Sequence, residues 1–304
     1  MKRKVGISIG TFQGRYGDMR ALEIAKEIGA DAVDLGTSSA RRWDYRLPDS
    51  VYAKSDDEIF SYFSALRRRA DELGIEIAQT HGRLPGFKNN KEEDDALIEN
   101  ARRDCIAAAA LGVRACVVHS VTTIFLGPDA PDQLMHDLNF DMFSRILEHA
   151  KKYNVKIASE TFGDAAKYGV CDYFGKMDEF VRSFERICSV GDNAKYMTTC
   201  VDTGHCHKAT RFDQPSAGDV IRRLGKHVGV LHLNDNNTLT DQHKIPMTGS
   251  INWNDVFDAL DEVGFDGVYN MEITLTHFGQ NFVREEAEFA IKVMKNILRD
   301  RYGE

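Results

Sequence analysis

Leu111-Gly112-Val113-Arg114-Ala115-Cys116-Val117-Val118-His119 is the stretch of sequence from which the fold can be deduced. An amphipathic helical segment ends at Leu111, and Gly112 follows because glycine takes the left-handed conformation at a helix C-terminus without a steric penalty. The apolar run from Ala115 to Val118 is typical of a strand buried on both faces. The stretch therefore predicts a helix, a turn and a buried strand that ends on the imidazole of His119.

The same unit repeats eight times along the chain. The expected strands are Lys4 to Ile9, Ala32 to Gly36, Glu76 to Thr80, Ala115 to His119, Lys156 to Glu160, Met197 to Asp202, Val228 to Asn234 and Gly267 to Ile273. The expected helices include Asp56 to Leu73, Glu93 to Leu111, Phe140 to Tyr153, Lys176 to Ser189 and Trp253 to Val263. The expected helix stops are Gly29, Gly74, Gly112, Asn154, Gly225 and Gly264. This alternation predicts parallel strands joined by crossover helices.

A closed barrel and an open doubly wound sheet share this alternation. Eight units is the number that closes a barrel. A dinucleotide-binding open sheet needs a Gly-x-Gly-x-x-Gly turn after its first strand, and here Gly10 and Gly14 have the wrong spacing. We therefore predict an α/β fold, a (β/α)8 TIM barrel, in a single domain spanning residues 1–304.

Composition narrows the class of protein. The 304 residues carry 47 acidic and 39 basic side chains, a formal net charge of −8, which is the wrong sign for a protein that lies along a phosphate backbone. A nucleic-acid partner is therefore disfavoured. No apolar run approaches the ~18 residues of a membrane span. Six scattered cysteines without a Cys-x-x-Cys pair indicate reduced thiols and a cytoplasmic location. For Cys206 we expect a buried thiol, with a metal-ligand role as the alternative.

Polar side chains stand at the ends of the expected strands, where apolar ones should be. They are His81, His119, Glu160, Asp202, His205, His232 and Glu272. One such residue alone is more often a hydrogen-bonded core residue than a ligand. Seven at the same end of the strands indicate a site on the C-terminal rim, where barrel enzymes carry their active sites. Mixed carboxylate and imidazole donors suit a divalent ion such as Mn, Zn, Co or Mg rather than an iron–sulfur cluster.

Four motifs carry a family resemblance: Val201-Asp202-Thr203-Gly204-His205, Leu231-His232-Leu233-Asn234-Asp235-Asn236, Asp241-Gln242-His243-Lys244-Ile245-Pro246 and Asn270-Met271-Glu272. In these motifs and in strand order, the chain resembles the xylose isomerase-like TIM barrel superfamily. The resemblance is strongest to its sugar isomerases and epimerases and more distant to endonuclease IV of the AP endonuclease family 2. It implies that Glu160, Asp202, His232 and Glu272 bind one divalent metal ion, and that the two glutamates also form a catalytic acid/base pair.

The chemistry implied by the resemblance is isomerisation or epimerisation of a small-molecule carbohydrate. A metal ion that chelates a carbonyl and its neighbouring hydroxyl stabilises an enediolate, while one glutamate removes the carbon-bound proton and the other returns it. We expect substrate contacts from His81, His119, His205, Asp241, His243, Trp43 and Lys244. A homo-oligomer, dimer or tetramer, is compatible with the sequence. Asn236-Asn237-Thr238 lacks the arginine of ketose 3-epimerases, which argues against a free ketohexose.

Three alternatives stay open at the level of sequence. A dehydratase acting on a keto-sugar, of the inosose type, would use the same metal and base. Endonuclease IV binds three zinc ions through residues that match His81, His119, Glu160, Asp202, His205, His232, Asp241, His243 and Glu272. A zinc phosphodiesterase acting on abasic DNA is therefore the second hypothesis. The third is a sugar- or metal-binding barrel that has lost catalysis.

Overall fold

Eight parallel strands form the centre of the molecule. The structure, a computed structural model, describes residues 3–303. The barrel strands are β1 Val5–Ser8, β2 Ala32–Gly36, β3 Glu76–His81, β4 Ala115–His119, β5 Ile157–Glu160, β8 Met197–Asp202, β9 Val228–His232 and β10 Tyr269–Met271. Two further strands, β6 Asp164–Ala165 and β7 Val170–Cys171, form a short antiparallel hairpin. All eight predicted strands are confirmed.

The barrel closes between β9 and β10. The hydrogen-bonded order is β10-β1-β2-β3-β4-β5-β8-β9. A parallel bridge between Leu233 and Met271 joins the two ends of this sheet. There the Leu233 N–H donates to the Asn270 carbonyl over 2.8 Å. The predicted (β/α)8 barrel is therefore confirmed, and the carboxyl ends of all eight strands meet on one rim.

Helices surround the barrel. The α-helices are α1 Gly10–Tyr16, α2 Asp18–Glu27, α3 Asp56–Leu73, α4 Lys91–Leu111, α5 Thr123–Leu126, α6 Asp132–Tyr153, α7 Met177–Cys188, α8 Thr203–Ala209, α9 Ala217–Leu224, α10 Trp253–Glu262 and α11 Val283–Tyr302. Single 3-10 turns lie at Val51–Ala53, Tyr173–Gly175, Asn193–Lys195, Thr210–Phe212 and Gly225–His227. None of the helices within residues 3–303 is long and apolar enough to cross a membrane.

The predicted helix boundaries hold where the chain carries a local capping signal. Ser55 and Glu58 form a capping box at the start of α3. Gly112, with φ 65° and ψ 36°, ends α4 in the left-handed conformation that the sequence predicts. The expectation for Gly225 is wrong in detail, because its ψ of −128° is not left-handed helical and a 3-10 turn begins there. Helix α6 begins at Asp132 rather than Phe140, directly after the extended Pro131.

The barrel interior below the rim is filled by small apolar side chains. One buried cluster comprises Ala115, Val117, Ala158, Cys200 and Val230. These residues come from four neighbouring strands, β4, β5, β8 and β9. The interior is therefore a packed core and not a channel, so a ligand can reach only the rim.

Candidate metal centre

Four side chains converge at the C-terminal rim. Glu160 ends β5, Asp202 ends β8, His232 ends β9, and Glu272 directly follows β10. One ligand atom from each lies within 4.8 Å of the other three. His232 Nδ1 is 2.9 Å from Glu160 Oε1 and 3.5 Å from Glu272 Oε2. The structure thus brings together the four residues that the sequence predicts as metal ligands.

Glu160 lies at the centre of this group. Its side chain is fully buried. Its Oε2 atom lies 2.8 Å from His119 Nε2 and 3.4 Å from His81 Nε2, yet neither contact is aligned as a hydrogen bond. A buried carboxylate oxygen without a directed hydrogen bond is costly, and a cation would offset that cost. His81 and His119, both expected in contact with substrate, lie against this oxygen.

Asp202 is held by the helix that follows it. It caps α8, because its Oδ1 accepts the His205 N–H over 2.7 Å, and its Oδ2 accepts Asn234 Nδ2 over 2.9 Å. Gly204, in the first turn of α8, faces the Asn234 side chain so closely that a Cβ atom there would overlap it. The Asp-Thr-Gly-His sequence therefore places the carboxylate and the imidazole of His205 on the same rim.

A second group of polar side chains adjoins the first. Asp241 Oδ2 lies 3.4 Å from His205 Nε2 and 3.3 Å from His243 Nε2. The Nδ1–H of His243 donates to the carbonyl of Glu272 over 3.0 Å. His243 has a φ of 44°, in the left-handed region that non-glycine residues seldom occupy. Strain of this kind is common at functional sites, which supports a role for the 241–243 loop.

The carboxylates and imidazoles of the site shift one another's pKa values. Burial lowers the pKa of His81, but the Glu160 carboxylate outweighs it and raises the pKa to about 9. Burial likewise opposes protonation of His243, yet the acids around it, Asp241 first, raise its pKa to about 9. Burial raises the pKa of Glu160, but His232 and His119 lower it by a larger amount. The net result is a pKa well below the usual range of a glutamate.

Glu160, Asp202, His232 and Glu272 are called the quartet below. The pKa values of His232 and Asp202 are shifted by the same two causes, burial and neighbouring charges. Burial opposes protonation of His232, but Cys200, Glu272 and Glu160 raise its pKa well above the usual value. Burial raises the pKa of Asp202. Acids that draw protons onto neighbouring imidazoles would draw a divalent cation in the same way.

The donor set fits a divalent metal ion. Carboxylate oxygens and an imidazole nitrogen are ligands for Mn, Zn, Co and Mg ions. Glu160, Asp202 and His232 are each fully buried, so their charges cannot be balanced by solvent. Two smaller groups offer further donors, namely His81 with His119 and Glu160, and His205 with Asp241 and His243.

Trp43 and Lys244, which the sequence predicts to contact substrate, are not members of the polar groups described above. Trp43 is buried in the core, where its ring packs 5.4 Å from Tyr52 and 5.5 Å from Phe63, centroid to centroid. The indole is a packing residue of the loop after β2, and its contact with substrate stays a prediction. Lys244 pairs its backbone with Asp235, and its contact with substrate stays a prediction. Cys206 is a buried thiol that donates to Thr161 Oγ1, as expected.

The sequence interpretation missed two residues that touch the quartet. The thiol of Cys200 and one ligand atom each of Glu160 and His232 lie within 4.8 Å of one another. Asp34, within β2, has its Oδ2 atom 3.0 Å from His232 Nε2. The sequence contains an indication of this role for Asp34. An acidic residue between Val33 and Leu35, in a strand that is otherwise apolar and buried, requires a polar partner.

Comparisons with known proteins agree with this architecture. The family model of the xylose isomerase-like TIM barrel matches residues 22–297. Among curated proteins, the uncharacterized protein y4fM of Sinorhizobium fredii is 25% identical over 172 residues, 56% of this chain and 50% of that protein. The chain thus spans about half the length of this curated relative.

Two solved structures illustrate the likeness of fold. A D-tagatose 3-epimerase-like protein superposes with a TM-score of 0.70 at 20% identity, covering 98% of this chain and 99% of that one. The IolI protein with a bound zinc atom superposes with a TM-score of 0.69 at 18% identity, covering 98% and 97%. Because the family model covers most of the sequence and the barrel is complete, the chain belongs to the xylose isomerase-like TIM barrel family.

Proposed function

We propose that this chain is a divalent-metal-dependent isomerase or epimerase that acts on a sugar or a sugar derivative. The observation that carries the proposal is the convergence of Glu160, Asp202, His232 and Glu272 within 4.8 Å. The D-tagatose 3-epimerase-like structure supports a carbohydrate substrate. The zinc atom bound by IolI supports a metal ion on the same fold.

The two glutamates supply the acid/base chemistry. When bound, a divalent cation would polarise the substrate carbonyl and balance the charge of the enediolate. Glu160 Oε1 and Glu272 Oε2 both lie close to His232 Nδ1, at 2.9 Å and 3.5 Å. One carboxylate accepts the proton from carbon, the C–H electron pair forms the new carbon–carbon double bond, and the carbonyl π pair moves onto oxygen to give the enediolate. The other glutamate, in its protonated form, then returns a proton to carbon as the π pair on oxygen re-forms the carbonyl. A proton returned to the opposite face of the same carbon gives epimerisation. A proton returned to the neighbouring carbon, with transfer of the hydroxyl proton to the former carbonyl oxygen, gives isomerisation.

Solvent deuterium reports this reaction directly. We expect the protein loaded with Mn²⁺ or Co²⁺ to incorporate deuterium from D₂O at a carbon of one member of a keto-sugar panel. Glu160→Gln and Glu272→Gln should each lower the exchange rate by about 10²–10⁴-fold, the usual contribution of a general acid or base. The exposed Glu185→Gln serves as the matched control and should exchange like the wild type. Near-normal exchange in either site variant would contradict the assigned roles, and release of water from the sugar would indicate the dehydratase.

A zinc phosphodiesterase is the second candidate. The His81–His119–Glu160 and His205–Asp241–His243 groups could hold additional ions beside the quartet, and the net charge of −8 is the main argument against a DNA substrate. Metal analysis separates the two proposals. About one equivalent per chain favours the sugar enzyme, whereas nearly three zinc ions together with nicking of abasic DNA would replace it with the phosphodiesterase.

A further inference from the structure

His232 has a second polar contact, on the side of its ring opposite Glu160. Its Nε2 atom lies 3.0 Å from Asp34 Oδ2, while its Nδ1 atom lies 2.9 Å from Glu160 Oε1. Asp34 and His232 are both almost completely buried. The imidazole is therefore held between two carboxylates, Glu160 at its Nδ1 atom and Asp34 at its Nε2 atom.

Asp34 is itself fixed from two sides. Its Oδ2 atom accepts hydrogen bonds from Ser8 Oγ over 3.2 Å and from Gln79 Nε2 over 3.3 Å. Its Oδ1 atom is buried without a hydrogen-bond partner. A buried carboxylate with one unpartnered oxygen costs free energy that no packing role requires. This cost points to a function of the charge itself.

The backbone at Asp34 is adapted to this contact. The register between β2 and β3 shifts after Val33–Ile77, so that Asp34 pairs with Gln79 and Ala78 is the extra residue. Irregularities of this kind redirect side chains and are frequent near active sites. On the other side, the His81 ring stacks on the His232 ring, with centroids 5.4 Å apart and planes within 5°. The position and the plane of the His232 imidazole are both constrained.

We propose that Asp34 is a positioning residue of the metal centre. Its carboxylate accepts the Nε2–H of His232, so a cation that displaced the Nδ1 proton facing Glu160 and Glu272 would meet an imidazole whose tautomer is already fixed. A carboxylate in this position also makes the ligating nitrogen more basic. The inference rests on the proposed function in one respect, namely that His232 binds a cation.

Metal affinity measured without turnover tests the role of Asp34. In Asp34→Asn the side chain keeps its size but loses its charge. We expect the affinity for Co²⁺, measured by competition with a chromophoric chelator, to fall by about 10–100-fold, the usual effect of such partners. The visible spectrum of the Co²⁺ form should change with it. Asp18→Asn is the matched control, since Asp18 is also buried and hydrogen-bonded, to Gln13, Arg42 and Tyr62, away from the quartet.

The control separates a positioning role from general damage to the fold. Asp18→Asn should lower the melting temperature of the metal-free protein and keep the Co²⁺ affinity within about twofold of the wild type. If Asp34→Asn binds Co²⁺ with wild-type affinity, or if both variants lose affinity equally, the role of Asp34 is wrong. If the wild-type protein itself binds no divalent ion, the proposed function fails first, and the role of Asp34 fails with it.

Discussion

Gly204 is the residue that allows Asp202 and Asn234 to meet. A Cβ atom at position 204 would overlap the Asn234 side chain and approach Asn236 Nδ2 at 3.0 Å. Asn234 is not free to move away, because its Nδ2 donates to Asp202 Oδ2 over 2.9 Å in a fully buried position. Its displacement would remove the hydrogen bond that Asp202 Oδ2 accepts.

Gly204→Ala is therefore expected to be destabilising. Overpacking a buried contact costs about 1–3 kcal/mol, and denaturant unfolding measures the loss. Gly14→Ala is the opposite control, since Gly14 lies in α1 and a methyl group added there would meet no atom within 4 Å. There alanine should raise the free energy of unfolding by up to about 1 kcal/mol, because it favours the helix. Equal effects of the two substitutions would show that the contact with Asn234 is unimportant.

Among the elements, the β6–β7 hairpin is anchored to the rim by buried acids. Asp164 forms ion pairs with Lys208 Nζ of α8 and with Arg211 Nη2, each at 2.6 Å. Asp172, directly after β7, accepts the Thr123 N–H of α5 over 2.9 Å. The hairpin, α8 and the short α5 are thus joined through side chains at the C-terminal rim.

The burial of Asp172 predicts that this junction is sensitive to pH. Burial raises the pKa of Asp172 to about 7, although hydrogen bonds from the Thr123 and Phe174 N–H groups oppose the shift. The usual pKa of an aspartate is ~3.9, so the folded state binds the proton more tightly than the unfolded state does. The contribution of this group to stability is complete below about pH 4 and is lost as the pH rises towards 7.

Asp172→Asn should remove this pH dependence. We expect the stability of the wild type relative to the variant to be greater at pH 5 than at pH 7 by about 2–3 kcal/mol, at 1.36 kcal/mol per pKa unit. Urea unfolding of both proteins at the two pH values measures the difference. A difference that does not vary with pH would mean that Asp172 is ionised throughout this range in the folded protein.

At the scale of the whole molecule, local patterns predict the barrel and long-range contacts decide the rest. The strands and the helix stops follow from short apolar runs and from residues such as Gly112, which act on their immediate neighbours. Strand-end polarity and the family resemblance together predict the quartet. The sequence did not identify Asp34 as a neighbour of the quartet, because its partner, His232, is 198 residues away along the chain. The position of Trp43 could not be predicted, because its burial depends on packing against Tyr52 and Phe63.

The proposed metal centre would link distant parts of the barrel, since its four residues come from β5, β8, β9 and the end of β10. An ion that binds only when these strands are assembled stabilises the folded state by mass action, by about 2.7 kcal/mol at a concentration 100 times its dissociation constant. For a domain of this size we expect the melting temperature of chelator-treated protein to rise by about 5 °C when Mn²⁺ or Zn²⁺ is added, as scanning calorimetry would record. Glu160→Gln should abolish most of this rise and Glu185→Gln should retain it, because only Glu160 lies among the donors. A wild-type melting temperature that does not respond to any divalent ion would contradict the assembly of these strands around a metal.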